Sequence, residues 1–252
     1  MKHASPTGRD VQSRTARKRD VAPVIEEGRP RATRTTAASG PDTSRVPERS
    51  RARPTRPGRH VILFLSANPR DSNLLTLTEE CAEIHRELMM TRNRARFRFE
   101  SRWAITVDDL MRHLTELEPT IVHFSGHGCG GGGLILQGEL GRPHPVSARA
   151  LAMMLQAATS RVRVVLLNAC YTAAEAQELT AIIDCVVSMD GAIGDEAARA
   201  FATRFYSAVG NGRSIGNAVQ HGVASLAAKQ LPDDLPRCMT HPAVDAHDLI
   251  LD

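Results

Sequence analysis

Three short runs, His60–Ala67 (HVILFLSA), residues 162–167 (VRVVLL) and Cys185–Met189 (CVVSM), are largely apolar at successive positions rather than at alternate ones. Successive side chains of a strand point to opposite faces, so strands of this kind need cover on both sides, as in a parallel sheet. The segments between them have helical periodicity. In residues 78–90, Cys81, Ile84, Leu88 and Met89 recur at helical spacing, with Glu79, Glu80, Glu83 and Glu87 on the other face. Val107–Leu117 predicts a second helix with Asp108 and Asp109 in its first turn, where the helix dipole favours them. Further strands are expected at residues 97–104, 120–124 and 134–136. Further helices are expected at 147–157, capped by Ser147, and at 173–182, 195–209 and 214–229. Strand–helix alternation of this type gives a three-layer α/β/α sandwich with a mainly parallel sheet. The residues from Leu231 onward are less regular and are expected to pack over one edge of the domain.

Charge divides the chain at the same place as hydropathy. Residues 1–59 hold 15 Lys+Arg against 6 Asp+Glu, and the remainder holds 17 against 22. The pI of about 9.0 therefore describes the first segment and not a basic domain. That segment is rich in Arg, Pro, Ser, Thr and Gly, and is expected to be a disordered basic tail. It has no aromatic residue on which bases would stack, which argues against a nucleic-acid partner. The expected division is a tail over residues 1–59 and one domain over 60–252, with its core at 60–229 and a C-terminal extension at 230–252.

Five cysteines, Cys81, Cys129, Cys170, Cys185 and Cys238, form an odd set without a CxxC pair. The pattern argues against a disulfide framework and a structural zinc site. No metal or cofactor is expected. No run approaches the length of a membrane span, and no apolar stretch fits a signal peptide, so a soluble cytoplasmic protein is expected.

Ligand and catalytic sites of open parallel sheets form beyond the carboxyl ends of the strands. Two chemically loaded segments fall there: Ser125-Gly126-His127-Gly128 after the strand at 120–124, and Asn168-Ala169-Cys170 after the strand at 162–167. On neighbouring strands, His127 and Cys170 would emerge side by side. A free thiol is only about 3% thiolate at neutral pH, and an adjacent imidazole both takes its proton and returns it to a leaving amine. Cys170 is read as the start of a helix, whose dipole would favour a thiolate. The backbone N–H groups of Gly128 and Cys170 are candidates for an oxyanion hole. The glycine-rich segment at 128–133 lacks the Lys-Ser/Thr ending of a phosphate loop.

The blocks "IVHFSGHG" and "VVLLNACYTAAEAQEL" resemble the two signature blocks of the CHAT domain, a bacterial branch of the caspase-like cysteine peptidases. "ILFLSANPRD", "SRWAITVDDL" and "SMDGAIGDEAARAFATRFYSAVGNGRSIGNAV" agree with it, so the resemblance covers about residues 60–229. The 43 residues from His127 to Cys170 are close to the caspase spacing of about 50. The resemblance implies a cysteine endopeptidase with His127 as base and Cys170 as nucleophile, acting on a protein or peptide substrate. It also implies an effector role in a bacterial signalling or defence pathway, triggered by a separate activator or sensor protein. His123 is expected to be structural, and Cys129, Cys81, Cys185 and Cys238 to be idle. The "QACRG" block of animal caspases is absent, so a preference for Asp in substrates does not carry over.

In this clan the end of the fourth strand borders the specificity pocket. Asp190 there, and Asp195 shortly after, are candidate substrate-binding residues that would favour Lys or Arg. Asp190 is the better pocket candidate, because Asp195 is read first as the cap of the helix beginning at Glu196, and Asp71, in the first turn, is a weaker third. A non-enzymatic caspase-like adaptor and a thiol-dependent acyltransferase remain open alternatives, the latter because hydrolysis and transfer share an acyl-enzyme.

Overall fold

The computed structural model describes residues 59–70, 75–130, 133–158 and 161–251. The expectation for the tail over residues 1–59, apart from Arg59, and that for Asp71 lie outside the described residues. Eight strands are described: β1 (His60–Ala67), β2 (Phe97–Arg102), β3 (Ile121–Gly128), β4 (Gly133–Gln137), β5 (Pro143–Ser147), β6 (Val164–Asn168), β7 (Cys185–Met189) and β8 (Pro236–Thr240). The α-helices are α1 (Leu77–Met89), α2 (Val107–Leu117), α3 (Ala148–Ala158), α4 (Ala173–Leu179), α5 (Asp195–Gly210) and α6 (Ile215–Ala228).

The main sheet runs β2-β1-β3-β6-β7-β8. Its first five strands are parallel, and β8 closes the edge antiparallel to β7. The parallel core thus agrees with the continuous apolar runs. Alternation along each strand divides the interior into two layers. Ile62, Phe64, Ile121, Val164, Leu166 and Val187 face α1, α5 and α6, where Phe201, Phe205 and Leu226 meet them. Leu63, Leu65, Val122, Phe124, Val165 and Val186 face α2, α3 and α4, where Leu114, Leu155 and Leu179 meet them. Each of these side chains loses nearly all contact with water, a gain of about 1.5–3 kcal/mol per residue before entropy is counted.

Helix starts follow local chemistry. Thr106 and Asp109 form a reciprocal capping box at α2, and the Thr106 backbone and hydroxyl donors hold the Asp109 carboxyl below its ordinary range. Ser214 Oγ accepts from the Asn217 N–H at α6, and Ser147 Oγ from the Ala150 N–H at α3. Two strands escape the sequence patterns. β5 (PHPVS) holds two prolines and lies at the outer side of the β4–β5 hairpin, where missing N–H groups cost little. β8 (PRCMT) is a half-exposed edge strand with proline at its first position, so neither alternation nor burial marks it.

Candidate active site

β3 and β6 are adjacent and parallel, and their last paired residues are Ser125 and Asn168. Beyond that rung β6 ends, whereas β3 continues through Gly126, His127 and Gly128. There it takes β4 as an antiparallel partner, with His127 opposite Ile135 and Gly128 opposite Leu134. The segment 125–128, placed after the strand at 120–124, is therefore itself strand. The β4 hairpin supplies backbone partners after β6 has stopped, something no local pattern in β3 announces.

The two loaded segments converge. A Cβ placed on Gly128 would lie 2.0 Å from the Cys170 carbonyl oxygen, so only glycine allows this backbone to approach the turn after β6. A Cβ on Gly126 would meet the Ala67 carbonyl oxygen at 2.7 Å. His127 and Cys170, both partly exposed, line one cleft whose floor includes Ser125, Asn168 and Glu80 and whose rim includes Asp195. The Cys170 Sγ lies 3.7 Å from the Ile193 carbonyl oxygen.

Cys170 does not begin a helix. α4 starts at Ala173 with Thr172 as its N-cap, and Cys170 and Tyr171 form a turn in front of it. Tyr171 has φ +56°, a sparsely populated conformation for a residue with a side chain. The turn is tied to the end of β7: the Tyr171 N–H donates to Gly191 O (3.1 Å) and the Thr172 N–H to Met189 O (2.8 Å). Met189 N–H returns a bond to Thr172 Oγ1 at 3.0 Å. Cross-bonding of this kind, rather than a helix end, fixes the position of Cys170.

Below the cleft lies a buried polar cluster that sequence reasoning missed. Glu80 was placed with the solvent-facing glutamates of α1, yet it is 4% exposed. Its carboxyl accepts from Ser125 Oγ and, at 2.6 Å, from Asn168 Nδ2. Asn168 Nδ2 also reaches the Ala198 carbonyl at 3.2 Å. The signal was present: Glu80 follows Leu77 by three positions and precedes Ile84 by four, which puts it on the apolar stripe of α1. His123 is fully buried, stacked on Tyr206 (centroids 5.7 Å) and edge-on to Phe64 (4.9 Å). Its Nε2 lies 3.2 Å from Glu80 Oε1 but is poorly aligned for a hydrogen bond. Burial, and secondarily the Glu80 carboxyl, push the Tyr206 hydroxyl well above its ordinary range.

The two acidic candidates separate. Asp190 is exposed outside the cleft and forms an ion pair with Arg237 of β8, its Oδ2 lying 3.1 Å from Nη2. At the end of β7 the Asp190 N–H is bonded to Leu235 O at 2.9 Å, and Asp190 is not among the residues that line the cleft. Asp195 lines the cleft. It is the first residue of α5, after the N-cap Gly194, and does not cap its own helix. Its Oδ2 instead accepts from the Thr76 N–H (2.8 Å) and hydroxyl (3.1 Å) at the start of α1. Cys129 is exposed on the β3–β4 connection, Cys81 and Cys185 are buried, and Cys238 is exposed.

The family model of the CHAT domain matches residues 15–243, beginning well before the resemblance noted from residue 60. A "Roc-COR-CHAT protease" from an unknown prokaryotic organism is 26% identical over 180 residues, covering 69% of this chain and 17% of that protein. A "Probable protease" of Gillisia limnaea is 24% identical over 153 residues, covering 60% of this chain and 27% of that protein. The chain thus spans less than a third of the length of either relative. Among the described residues, no helix is long and apolar enough to cross a membrane. With the signature segments meeting at the carboxyl ends of adjacent parallel strands, and the family model matching most of its length, this chain belongs to the CHAT domain family.

Proposed function

We propose that the chain is a cysteine endopeptidase in which His127 and Cys170 act as a catalytic dyad. One observation carries this reading: both side chains line the same cleft, where the backbone of Gly128 packs directly on that of Cys170. In the proposed reaction Cys170 Sγ attacks the substrate carbonyl carbon as its proton passes to His127. His127 then donates a proton to the leaving amine, and water hydrolyses the acyl-enzyme. The names of both relatives support a peptidase.

The Cys170 N–H is matched with no backbone acceptor among the described residues. The Cys129 N–H donates to Gly133 O at 3.0 Å. N–H directions alternate along a strand, so the Gly128 N–H points away from β4. These facts favour the two groups as donors to the tetrahedral oxyanion. Asp195 gives the cleft an acidic rim, which suits a substrate Lys or Arg next to the cleaved bond. Asp190, tied to Arg237 outside the cleft, has no part in this version of the pocket. The wider role in this reading is that of an effector in a bacterial signalling or defence pathway, set off by a separate activator.

A peptide acyloxymethyl ketone ending in Lys or Arg tests the reading. It is expected to label the chain at Cys170 and to leave Cys170→Ala unlabelled. Equal labelling of Cys170→Ala, with cleavage of a peptide library retained, would remove the dyad.

A further inference from the structure

The odd cysteine count and irregular spacing speak against a disulfide framework, yet the fold brings two of the five thiols together. In the β7–β8 ladder Cys185 pairs with Thr240 and Cys238 with Val187, so the two cysteines are diagonal neighbours on one face. Their sulfurs are 3.5 Å apart, across 53 positions of sequence, and both are free thiols.

The two environments differ. Cys185 is fully buried beside Val187 under α5 and α6. Cys238 is exposed and lines a shallow surface cleft with Val219 of α6 and with Val244 and His247 of the C-terminal segment. The hydrogen bond to Cys238 foremost, and then burial, push the Cys185 thiol far above its ordinary range. The same contact holds Cys238 below its own ordinary range. An exposed thiol of lowered pKa beside a buried second thiol is the arrangement found where cysteines are oxidised reversibly.

We propose that Cys185 and Cys238 are a redox-active pair that forms a reversible intramolecular disulfide, with Cys238 meeting the oxidant and Cys185 resolving it. With a peroxide as oxidant, the Cys238 thiolate attacks one peroxide oxygen, breaks the O–O bond and becomes a sulfenic acid, releasing hydroxide, which a proton converts to water. The Cys185 sulfur then displaces the sulfenic oxygen as a second water, closing the S–S bond. Two thiols and one hydrogen peroxide give one disulfide and two waters. Bond formation needs the sulfurs to close by about 1.5 Å, to the disulfide length of about 2.05 Å. That movement is within reach of side-chain rotation on an edge strand.

The bond would fasten β8 to β7, whose far end holds the turn after Cys170 through Met189 and Gly191. The inference does not depend on peptidase activity, and its test does not read that activity. The full chain and its Cys170→Ala variant are treated with a few equivalents of hydrogen peroxide, quenched with an alkylating agent in denaturant, digested and mapped by mass spectrometry. The expected result is a peptide pair joined through Cys185 and Cys238 that separates on reduction. The melting temperature should rise by about 5–10 °C in the oxidised form and fall back with dithiothreitol. In Cys185→Ser, Cys238 should accumulate as a dimedone-reactive sulfenic acid, whereas Cys238→Ser should leave Cys185 alkylatable. Recovery of both thiols fully alkylated after oxidation, or Cys238 joined only to another cysteine, would overturn the proposal.

Discussion

Asn168, two residues before Cys170, donates its amide to the buried Glu80 carboxyl at 2.6 Å, joining the end of β6 to α1 across 88 positions of sequence. Ser125, its rung partner on β3, donates to the other oxygen of the same carboxyl. One side chain of α1 therefore holds the ends of both strands that carry the candidate dyad. Glu80→Ala leaves two buried donors without an acceptor, at a cost of about 2–4 kcal/mol. For a domain of this size that is a fall of about 5–10 °C in Tm by calorimetry. Glu80→Gln, which keeps one acceptor, should lose less than half as much. Equal Tm values for all three proteins would show that the cluster contributes nothing to holding the strand ends.

The proposed dyad predicts non-additive losses. Cys170→Ala and His127→Ala should each abolish peptide cleavage, and the double variant should be no worse than either, as for residues acting as a unit. Circular dichroism should be unchanged in all three, since both side chains are partly exposed at the cleft. Cys129→Ala, on the exposed connection, should cleave like the parent.

Gly128 offers a test of geometry alone. Gly128→Ala would put a methyl group 2.0 Å from the Cys170 carbonyl oxygen, so either the β3 end or the turn after β6 must shift. Displacement on the order of 1 Å at a catalytic pair costs roughly 100-fold in rate. The expected outcome is a fall of about that size in kcat with KM changed far less, measured on a fluorogenic peptide.

Specificity should follow the carboxyl that lines the cleft. Peptide-library profiling is expected to favour Lys or Arg before the cleaved bond. Asp195→Asn should lower kcat/KM for such peptides by about tenfold or more, equivalent to about 1.4 kcal/mol per decade. Asp190→Asn, which breaks only the exposed pair with Arg237, should leave the profile unaltered. A profile changed by Asp190→Asn and not by Asp195→Asn would reverse the assignment.

Glu175 predicts a pH dependence. It is 0% exposed in α4, and burial raises its carboxyl above the ordinary 4.5, against weaker pulls from the N–H groups of its own residue and Gly133. A raised folded-state value means that the native state binds the proton more tightly than the unfolded chain. The stability this contributes is complete below the unfolded value and declines as pH rises through the folded one. Relative to Glu175→Gln, the parent should therefore lose Tm as pH rises from the ordinary carboxylate value toward neutrality. A constant difference across that range would mean that the carboxyl titrates as it does in water.

Most of the fold was legible because burial on both faces leaves continuous apolar runs: His60–Ala67 and Cys185–Met189 coincide with strands to the residue. The meeting of His127 and Cys170 was legible because strand ends of a parallel sheet share one side. What escaped depended on contacts distant in sequence. β3 runs on to Gly128 because β4 comes back to it, and β8 forms because β7 offers a free edge. Glu80 looked solvated because glutamates on α1 usually are, and only its partners Ser125 and Asn168 make an inward position tolerable. Asp190 looked the better pocket residue and Asp195 a helix cap, and their real partners, Arg237 and Thr76, are each far away in sequence.

The register of the main sheet also bears on how the molecule reaches this state. Ile62 pairs with Ile121, Ile121 with Val164, and Cys185 with Thr240, so no rung of these ladders joins sequence neighbours. Each pairing closes a long loop whose entropy must be met before the contacts reward it, which places the chain among slow-folding topologies. Both strands that carry the candidate dyad stay unmatched until β1 has found β3 and β3 has found β6. A nascent chain released before the residues of β6 emerge would hold a histidine without its cysteine, so the proposed dyad could not assemble until both strands are present.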